Sequence, residues 1–86
     1  MENYPYLNEA VTRVITRLRK EAGYSQQKLA ELSSVARVYL LQLEQGKFRP
    51  TLNSIFFLAR GLDIPPYELV KLIEMERKKI KNGQVE

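Results

Sequence analysis

Residues 25–46, SQQKLAELSSVARVYLLQLEQG, hold two short stretches in which apolar residues recur at helical spacing. Only two or three residues separate them. Ser25 is a good N-cap for the first stretch, which carries Leu29, Ala30 and Leu32 to about residue 33. The second runs from about residue 36 to 45, where Gly46 follows as a C-cap. So short a joint forces a sharp corner between the helices instead of a long antiparallel hairpin. Counting Gln26 as the first position, Ala30 falls at the fifth, Ser34 at the ninth, Leu40 at the fifteenth and Leu43 at the eighteenth. The small fifth residue lets two helices approach and the ninth takes the turn. The aliphatic pair then locks the second helix down.

That spacing is the pattern of a helix-turn-helix over residues 26–45. The second helix resolves into two faces at about 100° per residue. Ala36, Leu40 and Leu43 fall together and are expected to point into the core. Arg37, Val38, Leu41, Gln42 and Gln45 fall on the other side, within an arc of roughly 140°. A DNA major groove is what such a face would meet. Arginine pairs bidentately with guanine, glutamine with adenine, and aliphatic side chains touch thymine methyls. Gln42 is the first candidate for base reading, and Arg37 the next.

Around this motif the chain reads as all-α. A first helix covers about residues 8–22, with Leu7, Val11, Val14, Ile15 and Leu18 on one face. Thr51 caps a fourth helix over 52–61, and Pro65-Pro66 opens a fifth that reaches about residue 81. Eighty-six residues with 44% apolar and 28% charged content suit one small globular domain, residues 1–86. Cysteine and histidine are absent, which excludes a disulfide framework, a zinc finger, a cysteine nucleophile and a Ser-His-Asp triad. With no phosphate loop or paired-carboxylate cleft either, no catalytic set can be assembled, and no enzyme, cofactor, metal or small-molecule effector is expected. The longest apolar run, residues 55–59, is far too short to span a membrane, and the N-terminus has no leader pattern. A cytoplasmic location is the expectation.

The net charge of +4 is shallowly distributed, but half of it lies in residues 25–50. A domain this small buries only roughly 60% of its unfolded-chain surface and gains from pairing with a second copy. The fourth helix is expected to turn Leu52, Ile55, Phe56, Leu58, Ala59 and Leu62 toward the core and its ends, leaving Phe57 to meet a second copy or the fifth helix. The fifth is apolar over a wide arc. A homodimer through Phe57, Tyr67, Val70 and Ile73 is the expectation. The basic run at 77–81 is offset by Glu74 and Glu76 and reads as a solvated helix end.

Two longer stretches, RLRKEAGYSQQKLAELS at 17–33 and YLLQLEQGKFRPTLNSIFFLARGLDI at 39–64, resemble the phage repressor and Cro family, the XRE-type or Cro/C1-type regulators. The likeness covers about residues 14–69. It implies a compact five-helix, lambda-repressor-like domain binding a pseudo-palindromic double-stranded DNA operator to regulate transcription. By that resemblance Arg37, Val38 and Gln42 meet base edges, and Leu41 joins them on the same face as a methyl contact. Gln26, Gln45, Lys47 and Arg49 lie where backbone phosphates are gripped, Lys28 adds charge near the phosphate expected at Gln26, and Arg19 and Glu44 form a structural ion pair. The small size is similar to that of restriction–modification controller proteins. Departures from the family are Ser34 where glycine is common, Ala36 where a capping Ser or Thr is usual, and Lys28 in place of a capping-box acid. The bare apolar pair Val38 and Leu41 is a fourth departure. With Phe57 it defines the alternative reading, a protein-interaction module or antitoxin-like partner on the same fold.

Overall fold

Local sequence sets most of the helix limits in the computed structural model, which describes residues 2–83. The helices are α1 (Leu7–Glu21), α2 (Gln26–Ser33), α3 (Arg37–Glu44), α4 (Leu52–Gly61) and α5 (Pro66–Lys81). No strand occurs among the described residues. Ser25 Oγ accepts a hydrogen bond from the Lys28 amide at 3.0 Å, and Thr51 Oγ1 from that of Ser54 at 3.1 Å. Both bonds satisfy a first-turn N–H that has no partner within its helix. Pro66 opens α5 at a position where the missing N–H costs nothing. Ala36 precedes α3 with no side-chain cap, as its methyl dictates.

The core draws on all five helices. Ala10, Val11, Val14 and Ile15 of α1 meet Leu29 and Ala30 of α2 and Leu40 and Leu43 of α3. Ile55, Leu58 and Ala59 of α4 and Leu69 and Ile73 of α5 complete it. Gly61 lets α4 approach α2 closely: a Cβ there would stand 3.0 Å from both the backbone nitrogen and the Cβ of Ser33. The corner between α2 and α3 turns at Ser34, which takes the left-handed conformation at φ 56°, ψ 37°. Its hydroxyl accepts a hydrogen bond from the Arg60 guanidinium at 2.9 Å, tying the corner to α4.

Several expectations from helical projection need correction. Leu52 and Phe56 are 68% and 54% exposed and are not core residues. The inward stripe of α4 is Ile55, Leu58, Ala59 and Gly61, and Phe56 lies off it. Phe57, expected to meet a second copy or α5, is already half-buried within one chain, with the Arg60 guanidinium 5.0 Å above its ring. Ile73, expected at an interface between copies, is buried in its own core. Ala36 is exposed, because it precedes the helix instead of sharing its inner stripe.

Glu76 is the largest departure from the sequence reading. Its side chain is 1% exposed, although it was expected on a solvated helix end. Arg17 reaches it at 3.0 Å and Arg13 at 3.5 Å, so α1 clasps α5 through two cations on one carboxylate. Burial pushes the Glu76 carboxyl upward, but the hydrogen bonds and charges of Arg17 and Arg13 outweigh it and hold the group below its ordinary value.

Candidate nucleic-acid interface

An eight-residue helix such as α3 has no stability of its own. It is held from behind by contacts that leave its outer face untouched. Leu40 and Leu43 are buried, and Thr12 Oγ1 of α1 donates to the Leu43 carbonyl at 3.0 Å. Arg19 of α1 forks onto Glu44, Nε to Oε2 at 2.7 Å and Nη2 to Oε1 at 3.0 Å. Its remaining nitrogen, Nη1, donates to the Tyr24 carbonyl at 2.9 Å. Gln26, the first residue of α2, adds an amide hydrogen bond to Glu44 Oε1 at 3.0 Å. One carboxylate thus joins the end of α1, the start of α2 and the last residue of α3.

The expected Arg19–Glu44 pair therefore stands, with side-chain exposures of only 11% and 6%. Two charges so nearly desolvated argue for fixed orientation more than for net stability. The Gln26 contact with Glu44 was not foreseen. Its Nε2 is engaged inside the network, so a phosphate at this place would meet the α2 N-terminus as well as the remaining amide hydrogen. The loop after α3 is pinned by Tyr39 and Phe48, whose rings lie 4.8 Å apart at an interplanar angle of 39°. Lys47 and Arg49 flank Phe48 and are exposed.

On the outer face Arg37 and Val38 are exposed, while Leu41 and Gln42 are half-buried. Gln45 is exposed just beyond the helix, and Lys28 is exposed on α2. Lys28, Arg37, Lys47 and Arg49 form no hydrogen bond or ion pair through their side chains with the described residues. Glu44, the acid nearest in sequence to Lys47, is consumed by Arg19 and Gln26. What remains is an apolar and amide strip on α3, with exposed cations at the start of that helix, on α2 and in the loop that follows. Such a surface suits a polyanion that also presents groups to be read.

These features, a locked second helix behind a sharp corner and an unpartnered outer face, define a helix-turn-helix protein. The family described as "Helix-turn-helix" matches residues 15–69, more than half of the chain, and the chain belongs to that XRE-type family. It is 32% identical over 65 residues to the HTH-type transcriptional regulator SutR of Escherichia coli (strain K12), covering 76% of this chain and 35% of SutR. It is 37% identical over 54 residues to the uncharacterized HTH-type transcriptional regulator y4dJ of Sinorhizobium fredii (strain NBRC 101917 / NGR234), covering 63% of this chain and 70% of y4dJ. The chain thus spans about a third of SutR. Among solved structures it resembles the restriction–modification controller protein C.AhdI from Aeromonas hydrophila at TM-score 0.69 and 38% identity, covering 77% of this chain and 98% of that one. It also resembles the controller protein C.Esp1396I, solved as a tetramer with its natural 35 base-pair operator, at TM-score 0.80 and 27% identity over 91% of this chain and all of the other. No described helix is long and apolar enough to cross a membrane.

Sequence reasoning missed the partners of Glu76, of Ser34 and of the Gln26 amide. Arg13 and Arg17 lie about sixty residues from Glu76, and Arg60 lies 26 from Ser34. No local pattern encodes such pairs. An acid at the centre of α5, one turn beyond Ile73, was the single available hint.

Proposed function

We propose that this protein is a sequence-specific double-stranded DNA-binding transcriptional regulator. It acts as a homodimer, with α3 of each copy in successive major grooves about 34 Å apart on a pseudo-palindromic operator. The observation that carries the reading is the outer face of α3, left without partners while every contact that fixes the helix lies behind it. Arg37, Val38, Leu41 and Gln42 meet base edges. Gln26, Lys28, Gln45, Lys47 and Arg49 hold the backbone on either side. The controller proteins that this chain resembles, one of them solved on its operator, support the same partner. Phe56, Tyr67 and Val70, among the exposed apolar side chains of α4 and α5, supply the contact between copies.

Fluorescence anisotropy with mixed-sequence duplexes tests the proposal. Three unpaired phosphate-facing cations per copy, Lys28, Lys47 and Arg49, make six per dimer. The logarithm of the affinity is then expected to fall with the logarithm of salt at a slope of about −5. Absence of binding at low salt refutes the function. Sedimentation that finds only monomer at high micromolar concentration refutes the dimer.

A further inference from the structure

Val38 is the anomaly of the outer face. It is 59% exposed, on the second residue of α3, where a helix entering a major groove first reaches the bases. Leu41 follows one turn later on the same side, and its outer part continues the strip. Neither side chain can make a hydrogen bond. The surroundings decide what kind of surface would cover them. Arg37 lies beside Val38, Lys47 and Arg49 follow the helix, and Glu44 is already engaged, so the strip sits inside a field that attracts anions. A protein partner chosen for its apolar surface would have to neutralise these cations as well. A DNA duplex does so with its phosphates. On the floor of its major groove it presents one kind of apolar group, the methyl on C5 of a pyrimidine.

We propose that Val38 and Leu41 read pyrimidine 5-methyl groups, so that each half-site carries a thymine against this strip and 5-methylcytosine is distinguished there from cytosine. The inference rests on the DNA-binding reading above and deepens it. It makes affinity respond to cytosine methylation at one defined place, through packing against a methyl group alone.

The test starts by selecting bound duplexes from a library of random 24-base-pair sequences. Each thymine of the selected site is then replaced singly by deoxyuridine, which removes the methyl and leaves every hydrogen-bonding group. Anisotropy is expected to show a loss of about fourfold at one position per half-site, and about 15-fold when both half-sites carry the change. Cytosine at that position is expected to bind more weakly than 5-methylcytosine by a similar factor. The double variant Val38→Ala with Leu41→Ala is expected to lose most of the preference for thymine over deoxyuridine, and Val38→Thr, which keeps one methyl and Leu41, to retain part of it. Because Val38 is exposed and Leu41 is only half-buried, both variants are expected to keep the fold, checked by circular dichroism. Equal binding of thymine and deoxyuridine duplexes at every position overturns the inference while the DNA-binding reading stands. So does a preference that the double variant leaves intact, since the discrimination then comes from DNA shape. Failure to select any duplex overturns both and leaves the strip to a protein partner.

Discussion

Glu44→Ala tests whether α3 is held by its buried carboxylate. The substitution leaves Arg19 with a nearly desolvated guanidinium and one remaining acceptor, the Tyr24 carbonyl. It also strips the Gln26 amide of its partner. Removing one member of a buried pair costs about 3–5 kcal/mol. The 11% exposure of Arg19 allows some rotation toward water, which places the expected loss near 3 kcal/mol. Arg19→Ala removes the other charge and is expected to cost a similar amount. The double variant, with no orphaned charge, is expected to lose little more than either single one, giving a coupling of about 2–3 kcal/mol. Urea unfolding of the four proteins measures all of this, provided the slope of the transition is unchanged. DNA affinity at a urea concentration where all four are folded separates stability from orientation. The double variant is expected to bind more weakly than wild type even when fully folded, because nothing else fixes the end of α3 against α1 and α2. Single losses under 1 kcal/mol with unchanged DNA affinity would refute the reasoning.

Four further outcomes follow from the packing and the buried charge. Gly61→Ala is expected to destabilise by about 1–3 kcal/mol on thermal unfolding, because the added methyl meets the Ser33 backbone and the helix-propensity gain of about 1 kcal/mol is already inside that balance. Ser33→Ala is expected to be neutral or stabilising, since the Ser33 hydroxyl is buried with no hydrogen-bond partner among the described residues; a large loss in urea unfolding would contradict this. At the corner, Ser34→Gly relieves left-handed strain but forfeits the Arg60 bond, each worth about 1 kcal/mol, so unfolding should shift little, whereas Ser34→Ala should lose about 1 kcal/mol. The Glu76 carboxyl is held below its usual range when folded, so its contribution is complete above the unfolded value and is lost as pH falls through the folded one. Wild type should therefore lose stability progressively below about pH 4.5, and Glu76→Gln should show a flatter acid limb in urea titrations.

Local chemistry made the helices legible in the sequence. Ser25, Thr51, Pro66 and Gly46 act at the places their backbone preferences require, and α4 has the limits its flanking residues set. Val11, Val14 and Ile15 of α1 and Leu40 and Leu43 of α3 followed from periodicity, because each helix has one neighbourly side; Ala36 did not, because it lies before α3 begins. Periodicity failed on α4, where Phe56 and Phe57 stand on adjacent spokes of the wheel. Phe57 is the one partly covered, and the Arg60 guanidinium lies over its ring. Glu76 failed for a different reason. Charge patterning treats an acid among lysines as solvated, and only the three-dimensional approach of Arg13 and Arg17 makes its burial tolerable. The Arg19–Glu44 pair was legible through family resemblance, whereas the Gln26 link, absent from that reading, depends on where the α2 N-terminus falls relative to the end of α3.

The way α3 is held has a consequence for how its surface can change. Four ties fix it: the buried Leu40 and Leu43, Thr12 on the Leu43 carbonyl, Arg19 and Gln26 on Glu44, and Tyr39 against Phe48. A fifth acts at the corner, where Ser34 is gripped by Arg60. None of these uses Arg37, Val38 or Gln42, and Leu41 is only half-covered. The fold therefore constrains the inner residues of α3 through packing and desolvated charge, while the outer ones answer only to what they touch outside the molecule. Substitutions of Arg37, Val38 or Gln42 should alter which duplexes are preferred with stability changes within about 0.5 kcal/mol, the range of ordinary surface sites. Substitutions of Leu40, Leu43 or Glu44 should lower stability and weaken every duplex together. Such a division needs a helix short enough to be carried wholly by its neighbours, and the eight residues of α3 meet that condition.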